Sequence, residues 1–265
     1  MRAVAEGATL AGGVRLLALL LAAYLVVGQP VVSWWSARRQ RRDRRPGARS
    51  RRYLRTTVLE WALAAAAVGL VLAAPGLDLG DLGVDWPRPS AYTLVGVLGL
   101  VLSVALLAGL RRRVDRGARL VATPEVDALL PRTAVERRGF ARLALTAGVC
   151  EELLNRGFLL AVVVAEAPEL GPWRLVLVSA LAFAVAHTYQ GVAGMLTAGV
   201  LGAGFGVLFL GTGSLLLPVL YHVLIDLRLL VLSVRTPRHR AAGPARTFSP
   251  RPPPGARADS PRGPA

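Results

Sequence analysis

Long apolar runs recur along the chain and restrict its possible folds more than any other feature of the sequence. A helix needs about 20 mainly apolar residues to cross the roughly 30 Å hydrocarbon core of a bilayer. Runs of about this length lie at 16–32, 58–77, 92–110, 143–165, 173–189, 193–210 and 215–234. Hydrophobic residues make up 54% of the 265 positions, which exceeds the share typical of soluble domains. No alternating ten-residue strand pattern is present, so the sequence predicts an all-α, polytopic membrane bundle of about seven transmembrane helices.

The distribution of arginine predicts how this bundle is oriented. Segment 37–55 carries ten arginines and one aspartate, whereas the next connection, 74–90, carries three aspartates and one arginine. Because basic loops stay on the cytoplasmic side, we expect segment 37–55 and the carboxyl terminus to be cytoplasmic and the amino terminus to be outside. Trp34 and Trp35, next to the basic segment, are expected at the membrane interface. The chain is therefore expected to be an integral protein of a bacterial-type plasma membrane.

A net charge of +16 could indicate a nucleic-acid-binding protein. The excess lies almost wholly in the predicted cytoplasmic loops and tail, and no aromatic residues alternate with the basic ones to stack on bases. Membrane lipids are therefore the expected partners of this charge, and nucleic acid is not. We divide the chain into amino-terminal transmembrane helices with the basic loop (1–117), a core that carries the polar motifs described next (118–234) and a disordered, Pro/Arg-rich tail (235–265).

Polar residues inside the predicted spans are costly in hydrocarbon and are candidates for a functional site. They occur in three motifs, "EELLNR", "FAVAH" and "HVLID", each with residues one helical turn apart. The residues concerned are Glu151, Glu152, Arg156, Phe183, His187, His222 and Asp226. Each motif alone has a structural interpretation. Glu152 and Arg156 can form an internal salt bridge, His187 can cap a helix, and His222 with Asp226 can join two helices by a hydrogen bond.

Together these residues have the chemistry that water-mediated amide hydrolysis needs. A buried carboxylate can take a proton from water, and imidazoles can hold that water, stabilise an oxyanion or bind a metal. Two histidines and a carboxylate with an open position for water are the usual ligands of catalytic zinc. The motif "HExxH" is absent, so such ligands would come from three separate helices. The sequence therefore favours a peptide hydrolase and leaves both a Zn²⁺-dependent and a metal-free mechanism open.

The three motifs resemble those of the CPBP or Abi family of intramembrane proteases, which includes the type II CAAX prenyl endopeptidases. The family patterns EExxxR, FxxxH and HxxxN or HxxxD occur here in the same order, within residues 128–234. The resemblance implies an endopeptidase with an all-helical core and a cavity open to the cytosol. It implies that Glu151 is the general base, that His187 holds the water with it, and that His222 and Asp226 stabilise the oxyanion.

The resemblance further implies that Glu152, Arg156 and Phe183 support the site. Glu151, His187 and His222 would be the ligands if a metal were bound. The expected partner is a peptide or protein substrate, lipidated or membrane-embedded, and no substrate is singled out. Two other functions stay open: a catalytically silent membrane scaffold of the same family, and a transporter that uses these residues as a proton relay. A relay would need ionisable groups along a continuous path to both faces of the membrane.

Overall fold

The computed structural model describes residues 12–41, 43, 45–116, 124–127 and 130–232, which form ten α-helices and no β-strand. The predicted all-α fold is confirmed. The helices are α1 Gly12–Ala23, α2 Gln29–Arg41, α3 Ala48–Leu72, α4 Ala91–Asp115, α5 Pro124–Asp127, α6 Ala134–Glu152, α7 Leu159–Glu166, α8 Pro172–Ala186, α9 Gly191–Thr212 and α10 Leu216–Leu232. A π-helical turn joins α1 to α2 (Tyr24–Gly28) and another joins α6 to α7 (Leu153–Phe158), so each pair is one continuous helix.

Four helices are long and apolar enough to cross a membrane: Gly12–Arg39, Ala48–Leu72, Ala91–Asp115 and Thr188–Thr212. Each contains or overlaps one predicted span. The other three predicted spans differ for identifiable reasons. The α6–α7 helix is long but carries Glu151, Glu152 and Arg156 in its middle, whereas α8 and α10 have 15 and 17 described residues, about 22 and 25 Å of helix. The count of seven therefore stays a prediction.

The basic connection after the first helix is shorter than the sequence suggested. We expected residues 37–55 to form a loop, but α2 continues to Arg41 and α3 begins at Ala48. Arginine is a good helix former, and the break occurs at Pro46 and Gly47, where Gly47 has a φ of 73°. The end of α3 also differs from the prediction of Leu77, because Pro75 follows Leu72 closely and a proline cannot continue a helix.

A hydrogen-bonded cap closes the end of the bundle that lies away from the basic connection. A 3-10 turn at Leu79–Leu82 is held by a capping box between Asp78 and Asp81. The chain after it bonds to the α9–α10 turn, where the Ser214 hydroxyl donates to the Asp85 carbonyl at 2.6 Å. Backbone bonds also connect residue 88 to 212 and residue 215 to 83, both at 2.9 Å. The cap therefore joins the α3–α4 connection to the carboxyl-terminal helices.

The core of the bundle brings the motif-bearing helices together. Helix α6 packs against α3 and α10, and α8 packs against α9. Small residues allow the α8–α9 approach: a Cβ on Gly202 would lie 3.3 Å from the Ala180 Cα, and one on Gly206 would lie 3.6 Å from the Val176 Cα. The first helix is joined to the core by Arg15, whose guanidinium forms two hydrogen bonds to Glu166, at 2.8 and 2.6 Å. The predicted tail, 235–265, lies outside the described residues.

Candidate active site

The first motif lies where the α6–α7 helix changes from α to π geometry. Glu151 and Glu152 end α6, and the π turn Leu153–Phe158 follows directly. Such turns insert an extra residue and are frequent at functional sites. The π turn packs closely against the hydrogen-bonded cap that contains Leu82. A Cβ on Gly157 would lie only 2.7 Å from the Leu82 carbonyl oxygen. Packing at Gly157 thus fixes the position of the first motif along the axis of the bundle.

Glu152 is the centre of a buried network that joins the first and third motifs. One oxygen of its carboxylate, Oε1, lies 2.9 Å from Arg156 Nη1 and 2.8 Å from His222 Nδ1. The side chains of Glu152 and Arg156 are completely buried, and Arg156 also donates to the carbonyl of Gly202 at 3.3 Å. The ion pair predicted from the i, i+4 spacing is therefore present. Its contact with His222, which links α6 to α10, could not be read from that spacing.

Glu151 faces both intramembrane imidazoles. Its Oε2 lies 3.9 Å from His187 Nε2 and 3.9 Å from His222 Nε2. These separations exceed a hydrogen bond, and a molecule placed between the groups could contact all three. The Glu151 side chain is 15% exposed, in contrast to the fully buried Glu152. The two adjacent glutamates thus have different surroundings, because they project from the helix about 100° apart.

Hydrogen bonds determine which nitrogen of each imidazole faces Glu151. His187 directly follows α8 as its carboxyl-terminal cap, and its Nδ1 lies 2.8 Å from the Phe183 carbonyl oxygen. A carbonyl only accepts, so His187 Nδ1 carries a hydrogen and Nε2 is directed to Glu151. His222 Nδ1 likewise donates to the carboxylate of Glu152, which leaves its Nε2 for the same space. Both rings therefore present Nε2 to one carboxylate oxygen.

Aromatic rings hold the histidines and the arginine in place. The Phe183 ring lies 4.4 Å from the His187 ring and 5.6 Å from the His222 ring, centroid to centroid. On the same ring the Arg156 guanidinium stacks at 4.2 Å. Phe205 of α9 packs against His222 with the rings nearly parallel, 5.9 Å apart. The phenylalanine of the second motif thus contacts residues of all three motifs.

Asp226 has a looser relation to His222 than the sequence suggested. The resemblance implies that His222 and Asp226 stabilise the oxyanion together, and their i, i+4 spacing allows a hydrogen bond between them. Its Oδ2 lies 3.9 Å from His222 Nε2, too far for a hydrogen bond. Glu152 is the hydrogen-bonded partner that orients the ring, through the other nitrogen. Asp226 instead lies on the same side of His222 as Glu151 and lines the cavity.

A cavity of about 700 Å³ opens onto these groups. Four of the predicted residues line it, namely Glu151, His187, His222 and Asp226. Glu60 of α3 also lines it, is 6% exposed, and has its carboxyl group next to that of Glu151. Sequence reasoning missed Glu60, although the rule used for the motifs could have identified it. It is an acidic residue within the predicted second span, at residues 58–77.

The site contains donor atoms of the types that zinc prefers, nitrogen from imidazole and oxygen from carboxylate. In the part of the chain that the structure describes, however, no three or more His, Cys, Asp or Glu side chains are arranged to hold a metal ion. Glu152 also occupies the second nitrogen of His222, as the carboxylates behind metal-binding histidines do. As placed, these described residues do not form a metal-ligand set.

Comparison with known proteins tests the family that the three motifs predict. Residues 137–228 match the family model of the Rce1-like type II CAAX prenyl endopeptidases. This segment is an Rce1-like domain. It begins in α6 and ends in α10, and it contains all three motifs, so the family predicted from the motifs is confirmed. No curated protein and no solved structure matches the chain.

Proposed function

We propose that this protein is an intramembrane endopeptidase that hydrolyses a peptide bond near the cytoplasmic face of a bacterial-type plasma membrane. One observation carries the proposal: a single oxygen of Glu151 lies 3.9 Å from Nε2 of both His187 and His222, beside a cavity. The Rce1-like domain supports a peptidase of the CAAX protease family. The site lies toward the end of the bundle that carries the basic connection, because Arg52 and Arg55 also line the cavity.

In the proposed reaction a water molecule sits between Glu151 and the two imidazoles. Glu151 takes a proton from this water while the oxygen attacks the carbonyl carbon of the scissile bond. His187 accepts a hydrogen bond from the water through Nε2, since its Nδ1 hydrogen is already donated to a carbonyl. The water is thereby oriented toward the substrate as it loses its proton.

The tetrahedral intermediate carries negative charge on the former carbonyl oxygen. His222 donates to this oxyanion through Nε2 when both its nitrogens carry hydrogen, and the buried Glu152 balances the imidazolium charge. Asp226 lies 3.9 Å from the same nitrogen, and we assign its carboxylate to electrostatic stabilisation of the protonated His222 beside the intermediate. Glu151 then transfers its proton to the leaving amine, the C–N bond breaks, and a carboxylic acid and an amine are released.

The test compares cleavage by purified protein in detergent of transmembrane, lipidated and unmodified peptides. Glu151→Gln, His187→Ala and His222→Ala are each expected to lower the rate by about 10²–10⁴, the usual contribution of acid–base groups. Glu169→Gln, an exposed glutamate outside the cavity, is the matched control and should retain wild-type activity. Cleavage that continues at the wild-type rate in Glu151→Gln would remove the proposed mechanism.

Two further measurements on the same preparation address the finer points. Elemental analysis, with activity measured before and after chelation, tests whether a metal takes part. A preference for lipidated over unmodified peptides would assign lipidated proteins as substrates. If no peptide is cleaved by the wild-type protein, the silent scaffold becomes the better proposal.

A further inference from the structure

A stripe of polar side chains on α2 faces the cavity of the proposed active site. Gln29, Ser33 and Ser36 all line it, and their i, i+4, i+7 spacing places them on one face of the helix. Of their neighbours, Val31 and Trp35 are exposed apolar residues that do not line the cavity, whereas Val32 lines it beside these polar residues. We call Gln29, Ser33 and Ser36 the α2 stripe. The catalytic motifs lie more than 100 positions away along the chain.

The side chains of the α2 stripe make no hydrogen bond to other described residues, whereas those of Ser90, Ser103 and Ser214 do. Polar groups within a membrane span are costly unless they have partners or face water. Facing the cavity, the amide and the two hydroxyl groups are available to a molecule that enters it. The stripe therefore has the properties of a binding surface whose occupant supplies the missing hydrogen bonds.

Arg55 of α3 lines the same cavity. It forms no ion pair within the described residues, and Glu136, on the neighbouring helix α6, is already paired with Arg49 at 3.8 Å. A guanidinium that lines a binding cavity without a carboxylate of its own favours an anionic ligand group. Besides the carboxyl groups of the proposed active site and Arg52, the cavity thus offers three neutral hydrogen-bonding groups on α2 and the positive charge of Arg55 on α3.

The length of the α2 stripe indicates what it holds. Seven residues of helix rise about 10.5 Å, and an extended peptide covers that distance in about three residues. An extended backbone has an N–H and a C=O at every residue, and these must be bonded once they leave water. A lipid headgroup would concentrate its acceptors on one phosphate and leave most of the stripe unused.

We propose that the α2 stripe and Arg55 form the substrate-binding wall of this cavity, holding an extended peptide segment that bears a carboxylate. The stripe bonds the peptide backbone, and Arg55 binds the carboxylate, supplied either by the peptide's terminus or by an acidic side chain. The inference rests on the proposed endopeptidase function for its orientation, since bound peptide would lie beside Glu151. Binding itself can be measured without cleavage.

The experiment measures binding of fluorescent peptide libraries to the full-length Glu151→Gln protein in detergent, so that no peptide is consumed. Three libraries share one set of sequences: a free terminal acid without acidic residues, a terminal amide with one aspartate, and a terminal amide without acidic residues. Arg55→Ala is expected to weaken binding of the carboxylate-bearing library about tenfold. The same variant should bind the terminal-amide library without acidic residues as tightly as the protein that retains Arg55. Comparison of the first two libraries identifies the source of the carboxylate.

The triple variant Gln29→Ala, Ser33→Ala, Ser36→Ala should weaken binding of all three libraries at least tenfold, because the lost bonds are to the backbone. Arg142→Ala and Ser103→Ala, which change residues outside the cavity, are the matched controls. Elution volume and unfolding midpoint report whether each variant is folded. If anionic vesicles compete with the peptides for binding at Arg55, the ligand of Arg55 is a lipid headgroup and the proposal is overturned.

The outcomes separate this inference from the proposed function. If peptide binding depends on the α2 stripe but the wild-type protein cleaves no peptide, the proposed substrate-binding wall is retained and the proposed endopeptidase function is rejected. If the wild-type protein cleaves peptides and the triple variant and Arg55→Ala keep its KM, the endopeptidase function is retained and the substrate-binding wall is rejected. Equal binding of charged and uncharged libraries to the Glu151→Gln protein would also reject the role of Arg55.

Discussion

Replacing Arg156 by methionine tests the buried network beneath the active site. Methionine keeps much of the length of the arginine side chain but removes its charge. The variant loses a hydrogen bond of 2.9 Å to Glu152, a second of 3.3 Å to the Gly202 carbonyl, and the stacking on Phe183 at 4.2 Å. Glu152 keeps a single cationic partner, His222. Its second oxygen, Oε2, already has no hydrogen-bond partner among the described residues.

The expected loss of stability is large because both partners are fully buried. Removing one member of a buried ion pair typically costs about 3–5 kcal/mol, since the remaining charge stays desolvated without compensation. Replacing both members with uncharged residues of similar size is often neutral. We therefore expect Arg156→Met to lower the free energy of unfolding by about 3–5 kcal/mol. The double variant Glu152→Gln, Arg156→Met should lie within about 1 kcal/mol of the wild type.

The assay is unfolding by sodium dodecyl sulfate in mixed micelles, followed by tryptophan fluorescence. Arg142→Met is the matched control, because Arg142 is an exposed arginine on the same continuous helix. It should change stability by no more than about 0.5 kcal/mol. Arg156→Met with wild-type stability, or a double variant whose loss equals the sum of the single losses, would contradict the assignment of a coupled buried pair.

Two further predictions concern the surroundings of the site. Gly148→Ala would place a Cβ 3.1 Å from the backbone nitrogen of Val223, so we expect a loss of about 1–3 kcal/mol in unfolding assays and slower cleavage as α10 moves. Gly109→Ala, where no neighbour lies within 4 Å, is its control and should stabilise the helix by up to about 1 kcal/mol. Glu60→Leu should reduce kcat about tenfold by removing the polar neighbour of Glu151, while Glu60→Gln, which keeps a hydrogen-bonding group, should retain most activity. Wild-type kcat values for both Glu60 variants would show that this neighbour has no part in the reaction.

The sequence predicted those features that depend on residues close together along the chain. Apolar runs predicted the helices, and the i, i+4 spacing predicted the ion pair of Glu152 with Arg156, because helical geometry places such residues one turn apart. The same local reasoning failed for His222 and Asp226. Their spacing allows a hydrogen bond, but the ring of His222 bonds to a glutamate on another helix.

Helix ends and span counts were predicted less well than the helices themselves. The charge of the basic segment after the first helix favours a loop, but arginines extend both the end of α2 and the start of α3. Charge indicates where a segment lies relative to the membrane, and it does not prevent that segment from being helical. In their described residues, the helices α8 and α10 likewise carry motif residues without reaching the length of the four longer spans.

The sequence by itself determined a helical membrane protein with three ordered polar motifs, and these were enough to indicate the family whose model matches residues 137–228. Only the tertiary structure decided which side chains meet. It brought His187 and His222 to equal distances from Glu151, placed Glu60 beside that carboxyl group, and brought the α2 stripe and Arg55 to one cavity. The physical reason is that contacts within one helix follow from its fixed rise and rotation. Contacts between helices depend instead on how their surfaces pack, and close approaches such as that at Gly148 set this packing between residues far apart in the chain.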